Sequence, residues 1–351
     1  MIEQNIVSYL ACRDTDKNEC VWEENESMLT TNHSKRGRRM RRLLKLAFLV
    51  GCIALITACG DDPGKKGTEA DGKIKVTATI GMIADIAREI GGEHVAVTGL
   101  MKAGVDPHLY KASQGDIKKL DQAGIIFYNG LHLEGKMVEI FEKMAKKKTT
   151  VAVSDRIDRS ALRTGAENGM DTEYDPHIWF NVKHWMIAAE TVRDTLAEHD
   201  PAHAEDYRKN ADAYLQELQR LDKEVADKIA SIPEQSRVLV TAHDAFGYFG
   251  DAYGMKVMGL QGISTASEAG TKDVTDLRDY LVEHNIKAVF IESSVPRKAI
   301  DAVIQGAKEK GHSLTIGGEL FSDAMGEEGT PEGTYAGMIR HNVDTIVEAL
   351  K

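Results

Sequence analysis

Short runs of alternating polar and apolar residues and longer helical stripes succeed one another from residue 73 to the end of the chain. The most regular stretch is 200–233, DPAHAEDYRKNADAYLQELQRLDKEVADKIASIP. Tyr207, Ala211, Tyr214, Leu218, Leu221 and Val225 recur every three or four residues there, and Leu215 and Ile229 widen the stripe. Charged and amide side chains fill the other faces. Asp200 is placed to cap this helix, Pro201 suits its first position, and Pro233 sets the stop. Such a rod spans about 45 Å, more than one small domain needs.

Similar material lies on both sides of it. Before the rod, 73–79, 94–100, 124–128 and 150–153 read as strands, while 81–90, 114–122 and 133–146 read as helices, the second capped by Ser113. Asn181 is placed to cap one more helix, with Trp185, Ala189, Val192 and Leu196 on its buried face. After the rod, 237–241, 256–259, 287–292 and 313–316 read as strands. A helix ending at Gly254 and others over 271–284, 296–309 and 334–350 separate and follow them. The predicted fold is α/β, with two similar lobes joined by one long rigid helix. Each lobe is a mostly parallel sheet with flanking helices. The segment 154–174 has no pattern and reads as a loop. No short fixed period is present, which excludes a solenoid.

Composition narrows the picture. A chain of 351 residues with 42% hydrophobic residues suits a soluble protein of about two domains. Its net charge of −11, without a Lys/Arg stripe in the body, argues against a nucleic-acid partner. Cysteines stand at 12, 20, 52 and 59 and nowhere later, so the body holds neither a disulfide framework nor a cysteine metal site.

The N-terminal region needs separate treatment. Met40 begins a short basic segment, MRRLLK, and 46–58 is an almost uninterrupted apolar run, LAFLVGCIALITA. That run is short for a membrane span and the right length for a signal-peptide core. It ends in LITACG, which resembles the lipobox of bacterial lipoproteins. The resemblance implies cleavage before Cys59 and a diacylglyceryl thioether on its sulfur; the alternative is a chance cysteine at the end of a hydrophobic anchor. The expected organisation is an upstream extension over 1–39 that is not part of the fold, a signal peptide over 40–58, and a lipidated terminus and tether over 59–72. An N-terminal lobe over 73–199, the connecting helix over 200–233 and a C-terminal lobe over 234–351 follow.

Four residues stand out for their chemistry, each near the end of a strand, where open α/β sheets bind ligands. His108 follows the second strand of the first lobe and His177 opens its closing helix. His243 follows the first strand of the second lobe, and Asp323 follows its last. A cleft between the lobes would bring two from each together. His108 and His177 both lie in Asp-Pro-His, where proline stiffens the backbone that presents the imidazole. Three neutral imidazoles and a carboxylate suit a divalent metal. Taken singly, a histidine is more commonly a surface or core residue. His184, His199, His203, His284 and His341 are read that way.

The stretches DPHLY, NGLHLEG, DPHIW, TAHDAFGYFGDAYG, QGISTASEAG and GGELFSDAMG occur in this order. Together they resemble the bacterial metal-binding lipoproteins that serve ABC importers of manganese, zinc or iron, across essentially all of 73–350. The resemblance implies one divalent transition metal ion (Mn2+, Zn2+ or Fe2+) as transported ligand, held by His108, His177, His243 and Asp323. It further implies an ABC permease as partner and a monomer anchored through lipid on Cys59 to the outer face of the cytoplasmic membrane. Manganese-specialised members often have glutamate where this chain has His243. Zinc-specialised members commonly carry a histidine-rich loop, and 154–174 has no histidine. The metal is therefore left open. Four ligands without a vacant position hold metal rather than activate water, so no enzymatic activity is expected. The alternatives are a metallohydrolase with Glu292 as its base, and an adhesin or structural lipoprotein. Glu292 is otherwise expected to support the metal ligands from behind.

Overall fold

The computed structural model describes residues 72–165 and 174–351. The expected upstream extension and signal peptide, Cys59 and nearly all of the expected tether lie outside the described residues. Strands β1 (Ile74–Ala78), β2 (Val95–Gly99), β3 (Ile125–Tyr128) and β4 (Thr149–Ala152) form one sheet, parallel throughout, in the order β2-β1-β3-β4. Helices α1 (Gly81–Gly91), α2 (Gln114–Gln122) and α3 (Val138–Ala145) alternate with them. Ser113 caps α2 as expected, in a reciprocal capping box with Asp116. The expected start of α3 at 133 is displaced: Leu131 and His132 take positive φ (51° and 68°), and Gly135–Met137 forms a 3-10 turn first.

Helix α4 (Val182–His199) begins at Asn181, whose side chain accepts the Lys183 N–H, and buries Trp185, Ala189, Val192 and Leu196. Helix α5 (Ala204–Ala230) is the long rod. Its 27 residues span about 40 Å. It buries Tyr207, Ala211, Tyr214, Leu218, Leu221, Val225 and Ile229, the stripe that the sequence marks. Its entry differs from expectation. Pro201–His203 forms a 3-10 turn, and Asp200 caps no backbone N–H, because its carboxylate accepts from His203 Nδ1 (2.6 Å) and Tyr207 OH (2.8 Å).

The second half repeats the plan. Strands β5 (Val238–His243) and β6 (Lys256–Gln261) pair in parallel, as do β7 (Ala288–Glu292) and β8 (Thr315–Leu320), with β5 alongside β7. The spatial order β6-β5-β7-β8 is that of the first sheet. Helix α6 (Gly247–Tyr253) closes at Gly254 in the left-handed conformation, and α7 (Thr271–Glu283), α8 (Lys298–Glu309) and α9 (Tyr335–Leu350) complete the chain. Residues on β5 and β7 alternate between two cores. Leu239 and Phe290 join a large core that runs through α5 into the first sheet, while Val240 and Val289 face a smaller one under α7 and α8. The lobes are thus joined by packing as well as by a helix.

Two strand boundaries correct the sequence reading. β5 does not stop at residue 241 but runs through His243, its last residue. β8 continues past the glycines that read as its end, with a register shift opposite Val289 and Phe290 and a φ of 151° at Gly318. A Cβ on Gly317 would strike the Phe290 ring and Ala349, and one on Gly318 would strike Thr345. These glycines let α9 lie close over the strand. Among the described residues, no helix is long and apolar enough to cross a membrane.

Candidate metal centre

The two Asp-Pro-His segments make the same local turn. Asp106 Oδ1 accepts the His108 N–H at 2.8 Å, and Asp175 Oδ1 accepts the His177 N–H at 3.0 Å. A short carboxylate bonding the backbone two residues on is the Asx turn that an intervening proline favours. Asp175 Oδ1 also accepts a hydrogen bond from Nδ1 of His177 at 2.7 Å. His243 is held similarly by Glu292, which ends the neighbouring strand β7. Glu292 Oε1 accepts the His243 N–H at 2.8 Å and Oε2 accepts from Nδ1 at 2.5 Å. Asp323 lies just beyond β8, in a segment tied down by Trp179 Nε1 donating to Ser322 O (3.0 Å) and Phe321 N–H donating to Asn342 Oδ1 (2.9 Å).

With their Nδ1 atoms engaged, His177 and His243 turn Nε2 toward the same point that His108 Nε2 and Asp323 reach. The separations are 3.3 Å for His108 Nε2 to His177 Nε2, 3.2 Å for His177 Nε2 to Asp323 Oδ1, and 3.3 Å for His243 Nε2 to Asp323 Oδ2. His108 Nε2 stands 3.7 Å from Asp323 Oδ2, and all four donor atoms lie within 4.8 Å of one another. Ligands at about 2.1 Å from a tetrahedral zinc are about 3.4 Å apart, so these spacings are those of a coordination sphere. All four residues are buried. His243 Nε2 and both Asp323 oxygens nevertheless have no well-directed hydrogen-bond partner. Buried polar atoms are normally paired; these converge, and a divalent cation fits them. Among the described residues no other set of His, Cys, Asp or Glu side chains converges in this way.

Electrostatics separate the members. Burial pushes the His108 imidazole down to about 3, with Asp323 pulling it up and the other two imidazoles pressing it further down. Burial also opposes charge on His177, but Asp175 and Asp323 outweigh it and hold the ring up at about 9. Against the same burial, Glu292 and Asp323 hold His243 well above its ordinary value. Burial works to raise Asp323, and the surrounding imidazoles keep it well below the usual carboxylate range. A cation entering this set must displace protons from His177 and His243.

The residues singled out in the sequence, His108, His177, His243 and Asp323, are thus brought together, with Glu292 directly behind His243. The sequence reading missed the parts played by Asp106 and Asp175, although the repeated Asp was a visible signal. The five histidines read as surface or core residues lie elsewhere. His184 is buried against the Tyr248 ring, His199 meets Thr149, His284 stacks on Tyr280, and His341 bonds Glu319 O. His203 stacks on His94 with ring centroids 3.9 Å apart. A cleft of about 270 Å³ reaches Asp323; Met101 and Lys102 line it from the first lobe, and Met325, Glu327 and Glu328 from the second.

The family profile described as zinc-uptake complex component A, periplasmic (ZnuA) matches residues 76–349. The chain belongs to this family. It is 54% identical over 312 residues to the manganese-binding lipoprotein MntA of Bacillus subtilis (strain 168), covering 89% of this chain and all of that protein. It is 47% identical over 306 residues to the zinc-binding protein TroA of Treponema pallidum (strain Nichols), covering 87% of this chain and 98% of that one. The solved structure of the periplasmic zinc binding protein TroA from Treponema pallidum superposes with a TM-score of 0.77 at 49% identity, covering 80% of this chain and 99% of that chain. Its agreement with the fold described above extends the family relation from sequence to architecture.

Proposed function

We propose that this ZnuA-family chain is an extracytoplasmic, lipid-anchored receptor that captures one divalent transition metal ion between its lobes and delivers it to an ABC permease. The observation that carries the reading is the convergence of four buried donors whose facing atoms lack other partners. His108, His177, His243 and Asp323 are the metal ligands. Asp175 and Glu292 fix the Nδ1–H tautomer of two of them, so that Nε2 is offered to the ion. The lipid on Cys59 keeps the receptor at the membrane, and the folded lobes over 73–199 and 234–351 stand off it on the tether. Glu292 has both oxygens committed to His243, which leaves it unsuited to be the general base of a hydrolase. Binding without turnover is the role that the relatives support.

Metal preference follows from the donors. Three imidazoles and one aspartate favour zinc over manganese, which prefers oxygen ligands. If Asp323 binds through both oxygens, a five-coordinate site accepts manganese as well. Relatives named for manganese and for zinc support this permissive reading. Competition titrations of the metal-free protein test it. Zinc is expected to outcompete manganese in the wild type, and His243→Glu is expected to shift the balance toward manganese. Replacing any of the four ligands by Ala is expected to weaken binding sharply, whereas His203→Ala leaves it unchanged; retained affinity in all four Ala variants would refute the assignment.

A further inference from the structure

The segments that carry the donors are held unequally. Around His177, Trp179 Nε1 donates to Ser322 O (3.0 Å), Tyr335 OH to Trp179 O (2.7 Å) and Tyr248 OH to Asp175 O (2.9 Å). Phe180 stacks on Phe246 with centroids 4.2 Å apart. All these partners lie in the C-terminal half. Among the described residues, the His108 turn reaches that half, outside the metal centre, through one hydrogen bond: Thr265 Oγ1 donates to Asp106 Oδ2 at 2.5 Å. Asp106 thereby serves two purposes, since its other oxygen accepts the His108 and Leu109 N–H groups. Thr265 is buried, in the connection between β6 and α7.

His108 also differs in its ring. Asp175 and Glu292 engage the Nδ1 atoms of His177 and His243, but no described side chain bonds His108 Nδ1. The next residue, Leu109, is 45% exposed, so the turn ends at the surface. Val105 and Tyr110, on either side of the turn, are only partly buried against the core.

We propose that Thr265 and Asp106 form an interlobe latch that sets the residence time of the metal, with His108 the first ligand to leave. This rests on the receptor reading above. Thr265 is a positioning residue: its hydroxyl holds Asp106, Asp106 holds the backbone of His108, and parting of that one bond frees the imidazole. His177, His243 and Asp323 keep their places during release.

Stopped-flow transfer of Zn2+ from loaded protein to a chromogenic chelator tests the latch. Thr265→Val keeps the shape and loses the donor, and release is expected to accelerate roughly tenfold to a hundredfold. Thr265→Ser restores the hydroxyl and is expected to return the rate to near that of the wild type. Melting of the metal-free protein reports folding of each variant, and Thr265→Ala, read in parallel, guards against misfit of the valine. Wild-type release rates in Thr265→Val and Thr265→Ala, with one zinc still bound, would overturn the latch and leave the receptor standing. Failure of Thr265→Ser to restore slow release would overturn it equally. A wild-type protein that takes up no zinc removes the receptor reading and the latch together.

Discussion

Residues 106–108 and 175–177 are the same tripeptide in the same turn, yet they give the protein two different histidines. In both, the aspartate accepts the N–H of the histidine two positions on. There the likeness ends. Asp175 also binds the imidazole of its own His177, inside a frame of aromatic side chains. Asp106 turns its second oxygen to Thr265 across the lobes and leaves His108 Nδ1 without a side-chain partner. His177 consequently keeps a proton up to about 9, while burial drives His108 down to about 3. The tripeptide presents an imidazole; its distant neighbours decide whether that imidazole is an anchor or a gate.

The largest expected effect that sharpens this contrast is on stability. His177→Ala removes the positive charge that Asp175 and Asp323 face in the metal-free protein, and breaking such a buried set costs about 3–5 kcal/mol. His108→Ala removes a buried but neutral ring with no bond on Nδ1 and is expected to cost less, about 1–2 kcal/mol. Thermal unfolding of both metal-free variants measures the difference, and equal losses would erase the distinction.

Asp85 belongs to the frame on the His177 side, since it accepts the N–H of Tyr335, whose hydroxyl holds Trp179. Burial raises its carboxyl to about 6 from 3.8, with the Tyr335 N–H opposing. A carboxyl raised on folding costs nothing below pH 3.8, costs more as pH rises to about 6, and costs a constant amount above that. Asp85→Asn keeps an acceptor for Tyr335 and is expected to stabilise by up to about 3 kcal/mol at pH 7.5 and negligibly at pH 3.5. Urea unfolding at the two pH values checks this; a gain independent of pH would assign the effect to something other than charge.

Next in size is Asp175→Asn, expected to weaken zinc binding by about ten- to a hundredfold because His177 loses the partner that fixes its tautomer. Glu292→Gln is expected to act alike through His243. Chelator competition measures both, and unchanged affinity would show that these carboxylates do not orient the rings. The smallest effect separates the two sides of the cleft. Tyr248→Phe removes a hydroxyl that joins Asp175 O and Arg163 N–H, and should cost about 1 kcal/mol of stability without changing zinc release. Accelerated release in that variant would mean that the His177 side also opens.

The sequence by itself determined the rod, most of the strands and helices, and the four residues at the strand ends. Periodicity states which face must be buried, as along Tyr207 to Ile229, and a proline or a capping Ser113 or Asn181 acts within a few residues. Where a local signal had two readings, packing decided. Gly317 and Gly318 read as the end of a strand, but the close approach of α9 makes them part of it. Asp200 reads as a backbone cap, but His203 and Tyr207 claim its carboxylate. The continuous core joining the lobes and the bond between Asp106 and Thr265 were decided by the tertiary structure alone. Thr265 lies 159 residues from Asp106, and no local pattern encodes which hydroxyl will face a carboxylate so far along the chain. Local sequence restricts backbone angles and faces. The partner of a buried polar atom is settled only when the faces close on one another.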